Sequence, residues 1–435
     1  MGGSRGGVGG TPPPDKQMDL RALIEEKARA AKSAARSLAL LSTKVKNEAL
    51  LQMARSLEEK SSLILDANRR DTEQARAGGS SRAFLDRLTL TESRIEEMAA
   101  GLRQVAALPD PVGEILRMWR RPNGMEIGKV RVPIGLIAVV YEARPNVTAD
   151  TVGLCLKSGN AVILRGGSEA IESNSVITQI LAKAMEKAGV PPEGLQFIDS
   201  PDREAVRILL TLDRLVDLLI PRGGEEFIRM VVQEATVPIL KHDKGLCHIY
   251  VDQGASLDMA LEIVANAKVQ RPGVCNAVET LLVHQEVAPA FLPRLAARLE
   301  EAGVELRGCP KTRDLLPSIG QATEADWDTE YLDLILAIKV VEHLDEALAH
   351  IARHGSGLAE AIVTSDYTRA RRFLQEVDAG CVFVNASTRL ADGREFGMGA
   401  EMGISTSKLH ARGPVGLEEL TTTKFVVYGS GQLRE

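Results

Sequence analysis

The sequence predicts an α/β protein organised as two parallel-sheet lobes. Three observations carry that prediction: the length, a strand–helix alternation over residues 136 to 252, and a second alternation that begins after Cys275. At 435 residues the chain exceeds the ~100–200 residues of a usual domain, so more than one core is expected. Strands alternating with helices at this spacing mean βαβ units, whose parallel sheet is covered by helices on both faces.

The elements follow in order. The start, "MGGSRGGVGGTPPP", lacks the apolar core of a signal peptide and the arginines of a transit peptide, and its Gly and Pro content predicts a disordered tail over 1–16. From Met18 to Gly78, Ala, Leu, Lys, Glu and Arg recur at helical spacing and predict two or three amphipathic helices. Another helix covers 91–106. Pro109 and Pro111 then break the pattern, and "EIGKVRVPIGLIAVVY" has the β-branched content of paired strands. Strands follow at 136–141, 161–167, 195–199, 215–224 and 248–252, with helices at 147–158, 170–188, 202–210 and 225–235 between them. In the second lobe "ETLLVH", "EYLDLILAIKVV", "AEAIVT" and "CVFVNAS" read as strands, with helices over 287–302, 344–353 and 366–376.

Composition excludes several classes of function. A formal charge of -6 and 3% aromatic residues disfavour a nucleic-acid surface, which needs a basic face and stacking rings. The longest uncharged apolar run, "VPIGLIAVVY", falls far short of the ~20 residues that span a bilayer, so no membrane role is expected. Five cysteines, odd in number and without any C-x-x-C, indicate neither a disulfide framework nor a structural zinc. A reducing, cytoplasmic setting is expected. His242 and His248 flank Cys247, but their spacing matches no standard zinc pattern, and no metal is expected.

Parallel sheets bind ligands at the carboxyl ends of their strands, which directs attention to four stretches. "ILRGGSEA" (163–170) and "IPRGGEEF" (220–227) each place a Gly-Gly pair where a strand gives way to a helix. Gly166 with Gly167, and Gly223 with Gly224, read either as plain turns or as a dinucleotide cradle facing helix N-termini. Arg165 and Ser168 suit a 2′-phosphate, which favours NADP. Asn146, just before a predicted helix, reads as an N-cap or as an amide donor to an oxyanion. Cys275 stands in a Pro-Gly loop, whereas Cys155 and Cys381 occupy core positions of a helix and a strand. That context weakens the core-filler reading while leaving it open, and the helix-like "NAVETLLV" that follows would shift the thiol toward the nucleophilic thiolate.

The stretches "VPIGLIAVVYEARPNVTADTVGLCLKSGNAVILRGGSEA", "LIPRGG", "QRPGVCNAVET", "VFVNAST" and "FGMGAEMGISTSKLHARGPVGLEELTTTK" together resemble the gamma-glutamyl phosphate reductases of the aldehyde dehydrogenase superfamily, over about residues 17–428. The resemblance implies two Rossmann-like lobes and a small oligomerisation β-element. It assigns 17–125 and 142–268 to an NADP-binding domain, 269–410 to a catalytic domain, and 126–141 with 411–435 to the oligomerisation element. It implies a phosphorylating glutamate-5-semialdehyde dehydrogenase that uses NADPH and acts in proline biosynthesis. Cys275 falls on the family's nucleophile and Asn146 on its oxyanion asparagine. Arg165 falls on the strand-end residue that reaches the adenosine ribose, Gly223–Gly224 on the pyrophosphate turn, and Glu330 on the carboxylate that holds the nicotinamide ribose.

In one respect the chain departs from hydrolytic relatives: "HDKG" (242–245) replaces their E-L-G-G stretch, so the water-activating glutamate is absent. Arg144, Arg271, Lys408, His410 and Arg412 are candidates to bind the anionic substrate. The resemblance also implies a homo-oligomer, dimer or tetramer, and functional coupling to glutamate 5-kinase. The alternatives are a relative that oxidises another semialdehyde or uses an acyl-CoA, and an inactive scaffold. The retained Cys275, Asn146 and Gly-Gly turns oppose the scaffold.

Overall fold

The computed structural model describes residues 14–241 and 244–434. The Gly-rich start up to Pro13, and His242, lie outside the described residues. In chain order the elements are α1 (Pro14–Leu38), α2 (Thr43–Glu59), α3 (Ser61–Ala77), α4 (Arg82–Leu88), α5 (Glu92–Ala107), β1 (Ile115–Arg120), β2 (Glu126–Pro133), β3 (Leu136–Tyr141), α6 (Asn146–Lys157), β4 (Ala161–Gly166), α7 (Ile171–Lys187), β5 (Leu195–Phe197), α8 (Glu204–Leu210), β6 (Leu218–Arg222) and α9 (Glu225–Glu234). They continue with β7 (Cys247–Val251), α10 (Leu257–Val269), β8 (Val278–His284), α11 (Ala288–Glu301), β9 (Glu305–Gly308), α12 (Pro310–Leu315), β10 (Gly320–Gln321), β11 (Ile335–Val341), α13 (Leu344–His354), β12 (Ala359–Val363), α14 (Tyr367–Glu376), β13 (Cys381–Val384), β14 (Ile404–Ser405), β15 (Gly413–Pro414) and β16 (Thr421–Tyr428).

These elements form two compact units. The first runs to Gly223 and adds Met230–Ile239 and the chain from Leu420 onward. Its parallel sheet has the order β5-β4-β3-β6. β3 and β4 are buried along their whole length, which is why they read as continuous apolar runs rather than alternating ones. Ser42, Ser81 and Thr91 cap α2, α4 and α5 by accepting a backbone N–H three residues on. A separate antiparallel sheet, β1-β2-β16, joins the chain's end to its middle.

The second unit comprises Gly224–Arg229 and Leu240–Glu419. Its sheet has seven parallel strands in the order β10-β9-β11-β8-β7-β12-β13. Successive side chains face opposite ways. Ile249, Val251, Leu281 and Val283 therefore pack with the residues of α10 and α11, while Tyr250, Leu282 and Ile362 pack with those of α13 and α14.

Four expected boundaries differ from the structure: α1 already begins at Pro14, inside the tail expected over 1–16, the second unit continues past 410 to Glu419, and two more concern β7 and the stretch 126–141. β7 lies between β8 and β12, so the segment from Leu240 to Val269 belongs to the second unit, not to a first domain extending to 268. The stretch 126–141 is not one element either. β2 pairs with β1 and β16, whereas β3 is a central strand of the four-stranded sheet.

Candidate active site

Cys275 stands in the loop between the end of α10 and the start of β8. Of the five cysteines it alone is half-buried, the other four being buried. Burial pushes the thiols of Cys155 and Cys247 up and raises that of Cys381 to about 11, which keeps them protonated at neutral pH. Gly245 packs directly on the Cys275 backbone: a Cβ there would stand 2.1 Å from the Cys275 carbonyl oxygen and 2.5 Å from its Cβ. Any side chain at 245 displaces the nucleophile. The Cys247 thiol donates to the Cys275 carbonyl at 3.3 Å. The next residue, Asn276, is 3% exposed, donates to the Ala391 carbonyl at 3.0 Å and accepts from the Arg389 guanidinium.

The ends of this loop are tied together inside the unit. Lys268, in the last turn of α10, donates at 2.6 Å to Glu279 of β8, and both side chains are fully buried. The second Glu279 oxygen accepts the N–H of Leu332 at 3.2 Å. Leu332 has a φ of 54°, a left-handed turn that ends the preceding segment, so β11 starts only at Ile335 and not at residue 330. That turn leaves Glu330 half-buried, and its carboxylate accepts the Gly245 N–H. Burial raises the Glu330 carboxyl, with the Gly245 N–H opposing the rise. Glu330 and Cys275 thus both border Gly245.

In the first unit, Arg165 at the end of β4 is 7% exposed and donates to the carbonyls of Gly166 at 2.9 Å, Pro201 at 3.2 Å and Asp202 at 3.3 Å. Its Nε is buried without a hydrogen-bond partner. Gly166 and Gly167 let the chain pass tightly. A Cβ at 166 would meet Asn174 Nδ2 at 2.2 Å, and one at 167 would meet Glu169 Oε2 at 2.6 Å. The exposed Ser168 opens a single 3-10 turn, Ser168–Ala170, before α7. Gly223 and Gly224 join β6 to α9, and a Cβ at 224 would meet nothing within 4 Å. Pro145, not Asn146, is the cap of α6, and the exposed Asn146 side chain bonds to no described residue. The capping reading of Asn146 is thereby corrected: as the first helical residue its amide is left unspent.

The aldehyde dehydrogenase family model matches residues 16–315 and 327–426. The chain belongs to the aldehyde dehydrogenase family. A gamma-glutamyl phosphate reductase of Moorella thermoacetica is 59% identical over 418 residues, 96% of this chain and 100% of the relative. The crystal structure of the gamma-glutamyl phosphate reductase of Thermotoga maritima has a TM-score of 0.93 at 48% identity, covering 95% of this chain and 100% of that one. The corresponding structure from Saccharomyces cerevisiae has a TM-score of 0.53 at 30% identity, covering 95% and 98%.

Within this aldehyde dehydrogenase chain the basic candidates divide. Lys408 and Arg412 both pair with Asp378, whose carboxyl they hold down to about 2. The His410 ring bonds the Glu419 carbonyl at 2.6 Å. Arg144 and Arg271 are exposed. Sequence reasoning overlooked Gly245, Asn276, Arg389 and the Lys268–Glu279 pair. The signal for the last was a glutamate inside the apolar run "AVETLLVH", because a charge in a fully buried strand requires a partner.

Proposed function

We propose that this chain reduces L-glutamyl 5-phosphate to L-glutamate 5-semialdehyde and phosphate with NADPH, as a phosphorylating dehydrogenase of proline biosynthesis. The observation that carries the reading is the half-buried Cys275, its backbone packed on Gly245, in a chain 59% identical to a gamma-glutamyl phosphate reductase.

The residues present fit the cofactor. At the end of β4 the Arg165 guanidinium meets only neutral carbonyls within hydrogen-bond distance and keeps a buried, unpartnered Nε, as suits a cation reserved for an anionic ribose phosphate. Arg165, Gly166, Gly167, Ser168, Gly223, Gly224 and Glu330 would hold NADPH, which supplies the hydride that reduces the acyl group. Cys275 as thiolate attacks the acyl carbon, the C–O bond to phosphate breaks, and a thioester remains on the sulfur. After reduction the thiohemiacetal expels the Cys275 thiolate and leaves the aldehyde.

Asn146 donates its amide to the oxyanion of the tetrahedral intermediate, together with the Cys275 N–H. Asn146→Ala is expected to lower the rate about 10²- to 10³-fold. Since the side chain is exposed and bonds nothing, the melting temperature should stay unchanged; a melting shift with a normal rate rejects the assignment.

The experiment that tests the function is NADP reduction by glutamate 5-semialdehyde with and without inorganic phosphate. Strict phosphate dependence is expected, and turnover without phosphate overturns the proposal. Reaction through a thiolate fits a reducing cytoplasm, and the reactive acyl phosphate favours close coupling to the kinase that makes it. The β1-β2-β16 sheet exposes Ile115, Met118, Phe425, Val427 and Tyr428 and supports assembly into a dimer or tetramer, which sedimentation analysis reads directly.

A further inference from the structure

We propose that Arg389, with Arg271 beside it, forms the phosphate subsite of the second unit next to Cys275. The inference rests on the acyl phosphate reading above and names the residues that take the leaving group.

Arg389 lies on the 3-10 turn Thr388–Leu390 that follows β13. Its Nε donates to Gln270 Oε1 at 2.9 Å, and its Nη1 donates to Asn276 Oδ1. The guanidinium therefore spans the nucleophile loop from the residue before Arg271 to the residue after Cys275. Both acceptors are neutral amides, and no carboxylate lies within 4.0 Å of Arg389 among the described residues. Elsewhere in the unit Arg369, Arg372 and Arg412 each meet an aspartate within that distance.

Arg271 is exposed and likewise has no hydrogen bond or carboxylate partner among the described residues. Arg271 repels the Arg389 charge, whereas Asp392 favours it, as a Cys275 thiolate would. Burial and Arg271 together lower its proton affinity. A guanidinium bonded across the loop that carries Cys275, with the exposed Arg271 on that same loop and no carboxylate among the described residues in contact with either, is complementary to a dianion. With two guanidinium edges committed to the loop, Arg389 still has Nη2, which bonds to no described residue, to meet a phosphate oxygen. When Cys275 attacks, the departing phosphate gains charge, and a fixed guanidinium there stabilises that charge without reorganisation.

The test is steady-state semialdehyde oxidation by the full chain with NADP, varying inorganic phosphate at saturating aldehyde and then the reverse. Arg389→Gln is expected to raise the phosphate KM about ten- to a hundredfold, as loss of a charge-assisted hydrogen bond would, with Arg389→Lys intermediate and the aldehyde KM nearly constant. Arg271→Gln, at an exposed position without partners, should fold normally and raise the phosphate KM to a smaller degree. Independently of turnover, inorganic phosphate should slow alkylation of Cys275 by iodoacetamide in the unsubstituted chain and lose that protection in Arg389→Gln. An unchanged phosphate KM in both Gln variants overturns the assignment. So does a rise confined to the aldehyde KM, which would place the substrate carboxylate there, or a fall in kcat alone, which would make Arg389 a positioning residue. Unsubstituted chain that turns over without phosphate refutes the function itself, a result separate from any of these.

Discussion

Cys275→Ser leaves a folded protein that no longer reduces glutamyl phosphate. The hydroxyl is scarcely ionised at neutral pH, whereas attack on the acyl carbon requires an anion, and the ester that serine would form resists reduction more than a thioester does. Loss of a covalent nucleophile elsewhere costs on the order of 10⁶-fold, and a comparable loss is expected here. Stability should move by about 1 kcal/mol or less, because the side chain is half-buried and the substitution changes a single atom. Mass spectrometry of the enzyme with glutamyl phosphate and no cofactor should find an acyl adduct on the unsubstituted chain and none on the variant. Iodoacetamide should label this thiol first, since the other four are buried. Normal turnover by the serine variant would end the covalent scheme.

How far the sequence led can be judged from particular residues. The rhythm of both sheets was legible because fully buried strands must be apolar throughout: β3 and β8 appear as "LIAVVY" and "VETLLVH". The span 257–269 was not recognised as a helix, although α10 carries the nucleophile loop. β9 and β10, of four and two residues, are too short to show a period. The boundary at 268 failed because strand order is a tertiary property: nothing local in "CHIYV" says that it pairs with β8 and β12, strands that follow it in the chain. Cys275 was legible from its Pro-Gly loop, yet its supports were not. Gly245 and Arg389 lie 30 residues before and 114 after it, and only folding brings them to the same loop.

Lys268→Met is expected to destabilise the second unit by about 3–5 kcal/mol, the usual consequence of removing one partner from a buried ion pair. Lys268 and Glu279 close the base of the nucleophile loop with neither side chain reached by solvent. Burial already pushes the Glu279 carboxyl upward and Lys268 downward, each opposed by the other's charge. Without the lysine, Glu279 must take a proton to remain buried, so the folded variant holds a proton that the unfolded chain releases above the ordinary value of 4.5. More protons bound in the folded state means that stability falls as pH rises through that region. The variant's urea midpoint should therefore lie closest to the unsubstituted chain near pH 5 and diverge toward pH 8. Lys268→Met combined with Glu279→Gln should recover most of the stability at pH 8, because the amide keeps an acceptor for the Leu332 N–H and carries no charge to desolvate. A single variant as stable as the unsubstituted chain at pH 8 would show that the pair does not hold the loop. A double variant that regains stability but not the rate would show that the ionic clasp sets the position of Cys275 beyond what folding alone supplies.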